Sequence, residues 1–133
     1  MAYMEHGDRP LLQLPALNES GAAIEANRFV KRSGAKDYQV VKTAATTDPI
    51  LGVVNAAIPD LARGSVIIYG VVNVTCAEAI AVGDKVGCDN AGKATVWTAA
   101  GGEAFAGVAL TATTVADQLV LLALTGPGSY GIS

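Results

Sequence analysis

The stretch that decides the fold is Gly64–Val74, with the sequence GSVIIYGVVNV. Most of its residues are β-branched and apolar, and turn residues bound it on both sides. A short run of this kind is typical of a buried β-strand. The stretch closes the first half of the chain and leads into a second half with the same order of strands and turns. We therefore expect it to be the strand around which a small β domain is organised.

The two halves of the chain correspond at a nearly constant offset. Three pairs of residues carry this correspondence: Ile24 with Ile80 at 56, Val40 with Val96 at 56, and Gly52 with Gly107 at 55. A fixed period indicates internal duplication. We expect a compact all-β fold with few helical turns, in which two units, residues 21–75 and 76–125, close on each other as a barrel or sandwich.

The first 20 residues are predicted to form an extended N-terminal arm. Pro10 and Pro15 each remove a backbone donor and favour extended geometry, and the apolar residues around them favour burial. Two interpretations stay open: an edge strand packed on its own domain, or an arm that adds a strand to the sheet of a neighbour. The candidate contacts with such a neighbour are Tyr3, Leu11, Leu12, Leu14 and Leu17. The Gly-rich residues 126–133 are expected to form a flexible tail.

Composition argues against two classes of partner. The net charge is −3 with nine basic residues, and nucleic-acid binding needs clustered cations. One basic cluster is present, and with Glu25 and Asp37 beside it we expect a solvated hairpin; its members are Arg28, Lys31, Arg32 and Lys36. No apolar run approaches the roughly 20 residues of a membrane helix, and the N-terminus lacks a signal-peptide pattern. We therefore expect a soluble protein without a nucleic-acid or membrane partner.

The motifs that resemble chemical sites are better explained as turns. The segment Gly87–Ala94 is close to a phosphate-binding loop, but Ala94 stands where a magnesium-binding hydroxyl is required. A strand, rather than the necessary helix, is predicted after it. We expect Asp89–Gly92 to be a hairpin turn, and Gly83–Val86 to be a tight turn in which Asp84 accepts hydrogen bonds from nearby amides.

No catalytic, cofactor or metal site is expected. The single histidine, His6, lies in the arm, and metal-ligand spacing is absent. A disulfide between Cys76 and Cys88 is conceivable, but we favour two reduced, packed thiols. Trp97 is interpreted as a core or interface anchor rather than a ligand platform. We predict that the protein is not an enzyme.

The order of these features resembles the phage capsid decoration, or cement, proteins over about residues 21–124. The segments that carry the resemblance are Ile50–Val54, Ala62–Val66, Gly70–Val74, Ala79–Val86, Asp89–Lys93, Phe105–Ala109 and Leu119–Leu124. The resemblance implies a compact, β-tulip-like fold, often trimeric, on the outside of a phage head. It implies that the arm, Met1–Ser20, contacts the major capsid protein, and it provides no catalytic residues.

Two functional hypotheses follow. The first is a structural virion protein, made and assembled in the host cytoplasm, which binds the outer capsid surface as a homotrimer and stabilises the shell. The alternative is a carbohydrate- or cell-surface-binding β module, which would have a concave site near Trp97 or Tyr69.

Overall fold

A computed structural model describes residues 7–98 and 102–125 of the chain. Strands make up 50% of the structure and helix 1%, so the prediction of an all-β fold is confirmed. The described strands are β1 (Arg9–Asn18), β2 (Arg28–Arg32), β3 (Gln39–Lys42), β4 (Gly52–Val54), β5 (Ala62–Thr75), β6 (Lys85–Cys88), β7 (Ala94–Val96), β8 (Gly107–Ala109) and β9 (Leu119–Leu124).

The long strand β5 holds the sheet together, as its sequence predicted. It contains 14 residues. Its first half pairs with β1 on one side and touches β4 on the other, and its second half pairs with β9. The strand order across the single sheet is β1-β3-β2-β4-β5-β9-β8-β6-β7. Strands β1 to β4 therefore lie on one side of β5 in this order, and β6 to β9 lie on the other.

The first side of the sheet closes into a ring of five strands, which we call the first ring. Strand β1 pairs in parallel with β3 and antiparallel with β5, so the pairing runs β1-β3-β2-β4-β5 and returns to β1. The ring encloses apolar side chains from every one of these strands and from the loops between them. These are Ala16, Ile24, Val30, Val40, Val54, Ile58, Val66 and Ile68.

The second ring is formed by the second half of β5 with β9, β8, β6 and β7. A parallel bridge between Cys76, directly after β5, and Ala94 on β7 closes it. The amide of Ala77 donates to the carbonyl of Ala94 at 2.8 Å. The larger of the two core clusters lies here and includes Val72, Val74, Val86, Val120 and Leu122.

The two rings match in register and in backbone conformation. Val30 pairs with Gly52 in the first ring, and Val86 pairs with Gly107 in the second. Residues with positive φ also match, in the pairs Asn27 and Gly83, Tyr38 and Gly92, and Leu61 and Asp117. An internal duplication predicts this kind of correspondence. It also makes β1 the counterpart of the second half of β5. Val66 and Leu122 are matching residues of the two rings, and they pair with Leu14 on β1 and with Val72 on β5.

One of the sequence matches is wrong by two residues. Val40 lies opposite Arg32 in the first ring, whereas Ala94 lies opposite Cys88 in the second. The counterpart of Val40 is therefore Ala94 and not Val96. The reason is that the hairpin that joins β6 to β7 is shorter by two residues than the hairpin that joins β2 to β3.

The structure describes residues 9–18 of the predicted arm. This segment is β1, which pairs with β5 of the same chain from Arg9 to Asn18. The physical reason is that β1 supplies the strand that closes the first ring. Of the two interpretations left open by the sequence, the described part of the segment adopts the strand packed on its own domain.

Candidate interaction surfaces

The N-terminal residues predicted to contact the capsid or another subunit have different environments. Leu11 is 73% exposed and Leu12 is 48% exposed. Leu14 packs partly buried against the first-ring core, and Leu17 is only 7% exposed. The side chain of Leu17 is therefore used inside its own fold, and that of Leu14 is largely occupied there. Tyr3 lies outside the described residues.

Leu11 and Leu12 are exposed because β1 is irregular where it crosses β5. The register shifts on both sides of Leu12. At the crossing, Gly70 has a φ of 123°, and a Cβ atom on it would lie 2.5 Å from the carbonyl oxygen of Arg9. Glycine is therefore required for the close approach of the two backbones. The Asp8 carboxylate accepts a hydrogen bond of 2.9 Å from the amide of Asn73 and so holds the start of the strand.

The other end of β1 is fixed by Asn18, which is fully buried. Its side-chain amide donates to the carbonyls of Ala22 and Ile58 at 2.9 and 2.8 Å. Its side-chain oxygen accepts from the amide and hydroxyl of Ser20. Because a buried amide is stable only when its donors and acceptors are paired, this network fixes the position where the chain leaves β1. Sequence reasoning missed Asn18, since its type alone indicates only a turn.

An open groove lies at the mouth of the first ring, with a volume of about 500 Å³. Its floor is apolar, and Arg32 and Asp37 supply opposite charges at its rim. The lining residues are Leu14, Pro15, Arg32, Asp37, Tyr38 and Leu51. Tyr38 is 47% exposed and has a φ of 61°. Neither Trp97 nor Tyr69 lines this groove.

Trp97 lies on the outer side of the second ring. Its indole N–H donates to the carbonyl of Glu103 at 3.0 Å. The ring of Phe105 meets it edge-on at 5.8 Å between centroids, and the Lys85 ammonium lies 5.5 Å over its face. Cation–π and edge contacts of this kind hold the indole in place. Trp97 therefore contacts groups of its own chain and is not an open stacking platform.

The basic cluster on the first ring is largely paired with carboxylates. Lys31 lies 3.0 Å from Asp48, and Lys36 lies 2.8 Å from Glu19. The Lys42 ammonium donates a hydrogen bond to the Glu25 carboxylate at 3.0 Å. This hydrogen bond holds the pKa of Glu25 below its usual range. Arg28 also approaches Glu25, at 3.8 Å. The expected solvated hairpin fits this mixture of charges.

The segment that resembles a phosphate-binding loop is a hairpin turn. The Asp89 carboxylate accepts hydrogen bonds from the amides of Ala91 and Lys93, both at 2.8 Å. Strand β7 follows directly, so no helix N-terminus is available for phosphate. In the second predicted turn, the Asp84 carboxylate accepts from the amide of Ala81 at 2.9 Å. Both turns are as predicted.

Both cysteines are free and buried in the second ring. The thiol of Cys76 donates to the carbonyl of Val115 at 3.2 Å, and that of Cys88 to the carbonyl of Ala45 at 3.4 Å. Burial raises the pKa of Cys88 to about 11. These are the packed thiols that the sequence favoured.

Two kinds of site are absent from the part of the chain that the structure describes. Within residues 7–98 and 102–125, no three metal-ligating side chains come together. In the same part of the chain, no helix has the length and apolar character that crossing a bilayer demands.

Comparisons with known proteins agree with this architecture. No curated protein sequence matches the chain. Among solved structures, it is similar to one titled "The crystal structure of head fiber gp8.5 N base in bacteriophage phi29". The TM-score is 0.69 with 19% identity, and the match covers 92% of this chain and 98% of that chain. At this identity the similarity concerns the fold.

The sequence profile of the phage cement proteins matches residues 12–124. That range runs from β1 to the end of β9 and includes both rings. The resemblance to the cement proteins is therefore confirmed, and with it the assignment to the structural proteins of the phage capsid. The chain belongs to the phage cement protein family.

Proposed function

We propose that the protein binds the outside of the assembled phage head, contacts the major capsid protein there and stabilises the shell. The family match over residues 12–124 is the observation that carries this proposal. The role is mechanical and involves no turnover. In this account the protein is made in the host cytoplasm and acts as a homotrimer on the outer capsid surface.

The proposed capsid contact is the exposed part of the N-terminal segment. Leu11 and Leu12 present apolar side chains to solvent, and each leucine contributes roughly 1.5–3 kcal/mol when fully buried. Tyr3 belongs to the same proposed contact. Leu14 and Leu17 are left out because their side chains pack within the first ring.

Strand β1 also offers a backbone edge. Its pairing with β3 involves Leu17 and Asn18, so within the described residues the edge from Pro10 to Ala16 that faces away from β5 has no strand partner. An edge of this kind accepts an added strand. Pro10 and Pro15 remove two donors from it, which favours a short partner segment over open-ended strand addition.

Three copies of a weak contact suffice for firm attachment. Ordering each contact residue costs roughly 1–2 kcal/mol in backbone entropy, so a single N-terminal segment binds weakly. A trimer places three segments over one capsid site, and the second and third bind at high effective concentration. This arrangement stabilises a shell through many individually weak contacts.

Co-sedimentation with phage capsids that lack the protein tests the proposal. We expect wild type to pellet with capsids and saturate, and to raise their melting temperature. The double variant Leu11→Glu with Leu12→Glu should bind about tenfold more weakly or worse, which corresponds to about 1.4 kcal/mol. Leu61→Glu is the matched control, because Leu61 is 75% exposed on the same ring. Equal binding of the double variant and the control would show that Leu11 and Leu12 are not the contact, and absence of pelleting by wild type would refute the function.

A further inference from the structure

We propose that copies of this chain associate head to tail, with the outer face of the second ring of one copy seated in the first-ring groove of the next. The proposal rests on the proposed function, because it specifies how the copies join on the capsid. It starts from a difference between two matching faces. The first-ring face consists of Phe29, Ile50, Val53 and Ile67, and the second-ring face consists of their counterparts Lys85, Phe105, Val108 and Ala123.

These faces match in register. Phe29 lies opposite Val53, and Val53 opposite Ile67. In the second ring, Lys85 lies opposite Val108, and Val108 opposite Ala123. Side chains of directly opposed residues project from the same side of a sheet. Phe29, Val53 and Ile67 therefore form one row across the first ring. Lys85, Val108 and Ala123 form the matching row across the second.

The first-ring face is buried by the rest of the same chain. All four of its side chains belong to the larger core cluster, together with the interior of the second ring. Hydrogen bonds between the two rings accompany this packing. The amide of Phe29 donates to the carbonyl of Gly92 at 2.8 Å, and the thiol of Cys88 donates to the carbonyl of Ala45. The interior of the second ring is thus completed by the outer face of the first.

Among residues 7–98 and 102–125, no ring of the same chain covers the second-ring face, although Trp97 packs beside Lys85 and Phe105. Lys85 is exposed, and Phe105, Val108 and Ala123 are half-buried. The apolar surface continues into Leu110 and Leu119, which are 45% and 50% exposed. By the same 55- and 56-residue offsets, the first ring carries Asn55 and Arg63 at those positions. The second ring is therefore apolar at its surface where the first ring is polar.

Within one chain, the first-ring face packs on a surface of the second ring. The groove lies at the matching position on the first ring. Cys88 and Gly92 contact the first ring within the chain. Their counterparts by strand register and backbone conformation are Arg32 and Tyr38, and both line the groove. A head-to-tail contact therefore joins, between two copies, the counterparts of the two surfaces that meet between the rings of one copy. It differs from that junction at one point, because Tyr38 carries a side chain where Gly92 has none and where a Cβ atom would meet Lys42 and Phe29.

One charge pair supports the same occupant, and it involves Asp37 rather than Arg32, the other charged residue of the groove. Within the chain, Phe29 donates a hydrogen bond to Gly92. The counterpart of Phe29 in the second ring is Lys85, and the counterpart of Gly92 in the first ring is Tyr38. Repeating this junction brings Lys85 of one copy to Tyr38 and the adjacent Asp37 of the next. Asp37 has no ion-pair partner among the described residues. An interface that joins two different surfaces is heterologous, and it closes into a ring or grows into a filament.

Solution mass by light scattering tests the proposal on the full chain, over a series of protein concentrations. Wild type should form species larger than one chain. Val108→Glu, which spoils the second-ring face, and Tyr38→Asn, which removes the groove tyrosine at a φ that asparagine tolerates, should each be monomeric. An equimolar mixture should form a species of two chains, because it combines one intact face with one intact groove. Leu61→Glu is the control and should keep the wild-type mass.

A charge pair provides a second set of variants at exposed positions. Lys85→Asp and Asp37→Lys should each weaken association at least about tenfold, and their mixture should restore it. Circular dichroism melts establish that each variant is folded. A mixture that stays monomeric, or a monomeric wild type at every concentration, overturns the head-to-tail contact. If a monomeric wild type still pellets with capsids, the proposed capsid binding stands, and both the head-to-tail contact and the homotrimer in solution are wrong. An oligomer that does not pellet would refute capsid binding and leave the head-to-tail contact.

Discussion

The two rings have the same order of strands, but matching faces differ in burial. The face of the first ring is buried, and among the described residues the matching face of the second ring reaches solvent. Phe29, Val53 and Ile67 are inaccessible in the first ring, while Lys85 and Val108 of the second ring reach solvent. A repeat that uses its neighbour as a cover always leaves one face without a cover at its end, as in stacked-repeat proteins. In this chain the end carries apolar residues and a lysine, and this is the surface that we propose is completed by assembly.

The largest expected effect concerns the strand that differs most between the rings. A chain that begins at Gly21 lacks β1, so the first ring stays open and its core cluster is exposed to water. We expect this chain to be unfolded at room temperature, because a β domain of this size has only about 5–15 kcal/mol of stability. A chain that begins at Asp8 keeps every β1 pairing and is the control. Equal melting temperatures for the two chains, by circular dichroism, would mean that β1 is a detachable arm.

The same substitution at matching positions should have unequal effects. Val53→Asp places a carboxylate in the buried core and should lower the free energy of unfolding by more than about 4 kcal/mol. Val108→Asp changes a half-buried side chain on the open face and should cost less than about 1 kcal/mol in the monomer. Urea unfolding measures both. Similar losses would show that the two faces are equally covered.

Two glycines should instead behave alike, because the rings share their backbone geometry. A Cβ atom on Gly52 would overlap the carbonyl oxygen of Ile67, and one on Gly107 would overlap that of Ala123. Neither overlap is relieved unless the strands move apart, so Gly52→Ala and Gly107→Ala should each cost about 2–3 kcal/mol. We expect the two losses to agree within about 1 kcal/mol by urea unfolding. If only one substitution were harmful, the structural match of the rings would not extend to these strands.

The smallest effect concerns thiol chemistry in the second-ring interior. Because burial raises the pKa of Cys88 to about 11, about one thiol in a thousand is ionised at pH 8, and only the thiolate reacts. Both cysteines should resist iodoacetamide in the folded protein and react in concentrated urea. Mass spectrometry after a timed reaction measures this. Rapid labelling of either cysteine without urea would indicate that the first-ring face does not seal the second ring.

The sequence was informative where local pattern determines structure. The apolar run in β5, the Gly-bounded turns at Asp84 and Asp89, and the order of strands were all predictable, because alternation and turn chemistry act over a few residues. It was also informative about family, since the order of these features resembles the cement proteins.

The sequence did not determine which strand a segment pairs with. Leu14 and Leu17 resemble Leu11 and Leu12 in type, and only the pairing of β1 with β5 separates buried from exposed leucines. The sequence already showed that the position of Phe29 in the first half is occupied by Lys85 in the second half. Whether each of these two residues is buried or exposed depends on how one ring packs against the other, and no local pattern specifies that packing. The match of Val40 to Val96 failed because hairpin length changes register without changing strand pattern.

Thiol accessibility at Val108 tests most directly whether assembly covers the face that the chain leaves open. The variant Val108→Cys should be labelled readily in dilute free protein, where the native cysteines give little background. On capsids decorated with the same variant, labelling should be at least about tenfold slower. Val82→Cys, at a position that is 66% exposed, should be labelled in both states. Equal labelling of Val108→Cys in free and capsid-bound protein would contradict the account.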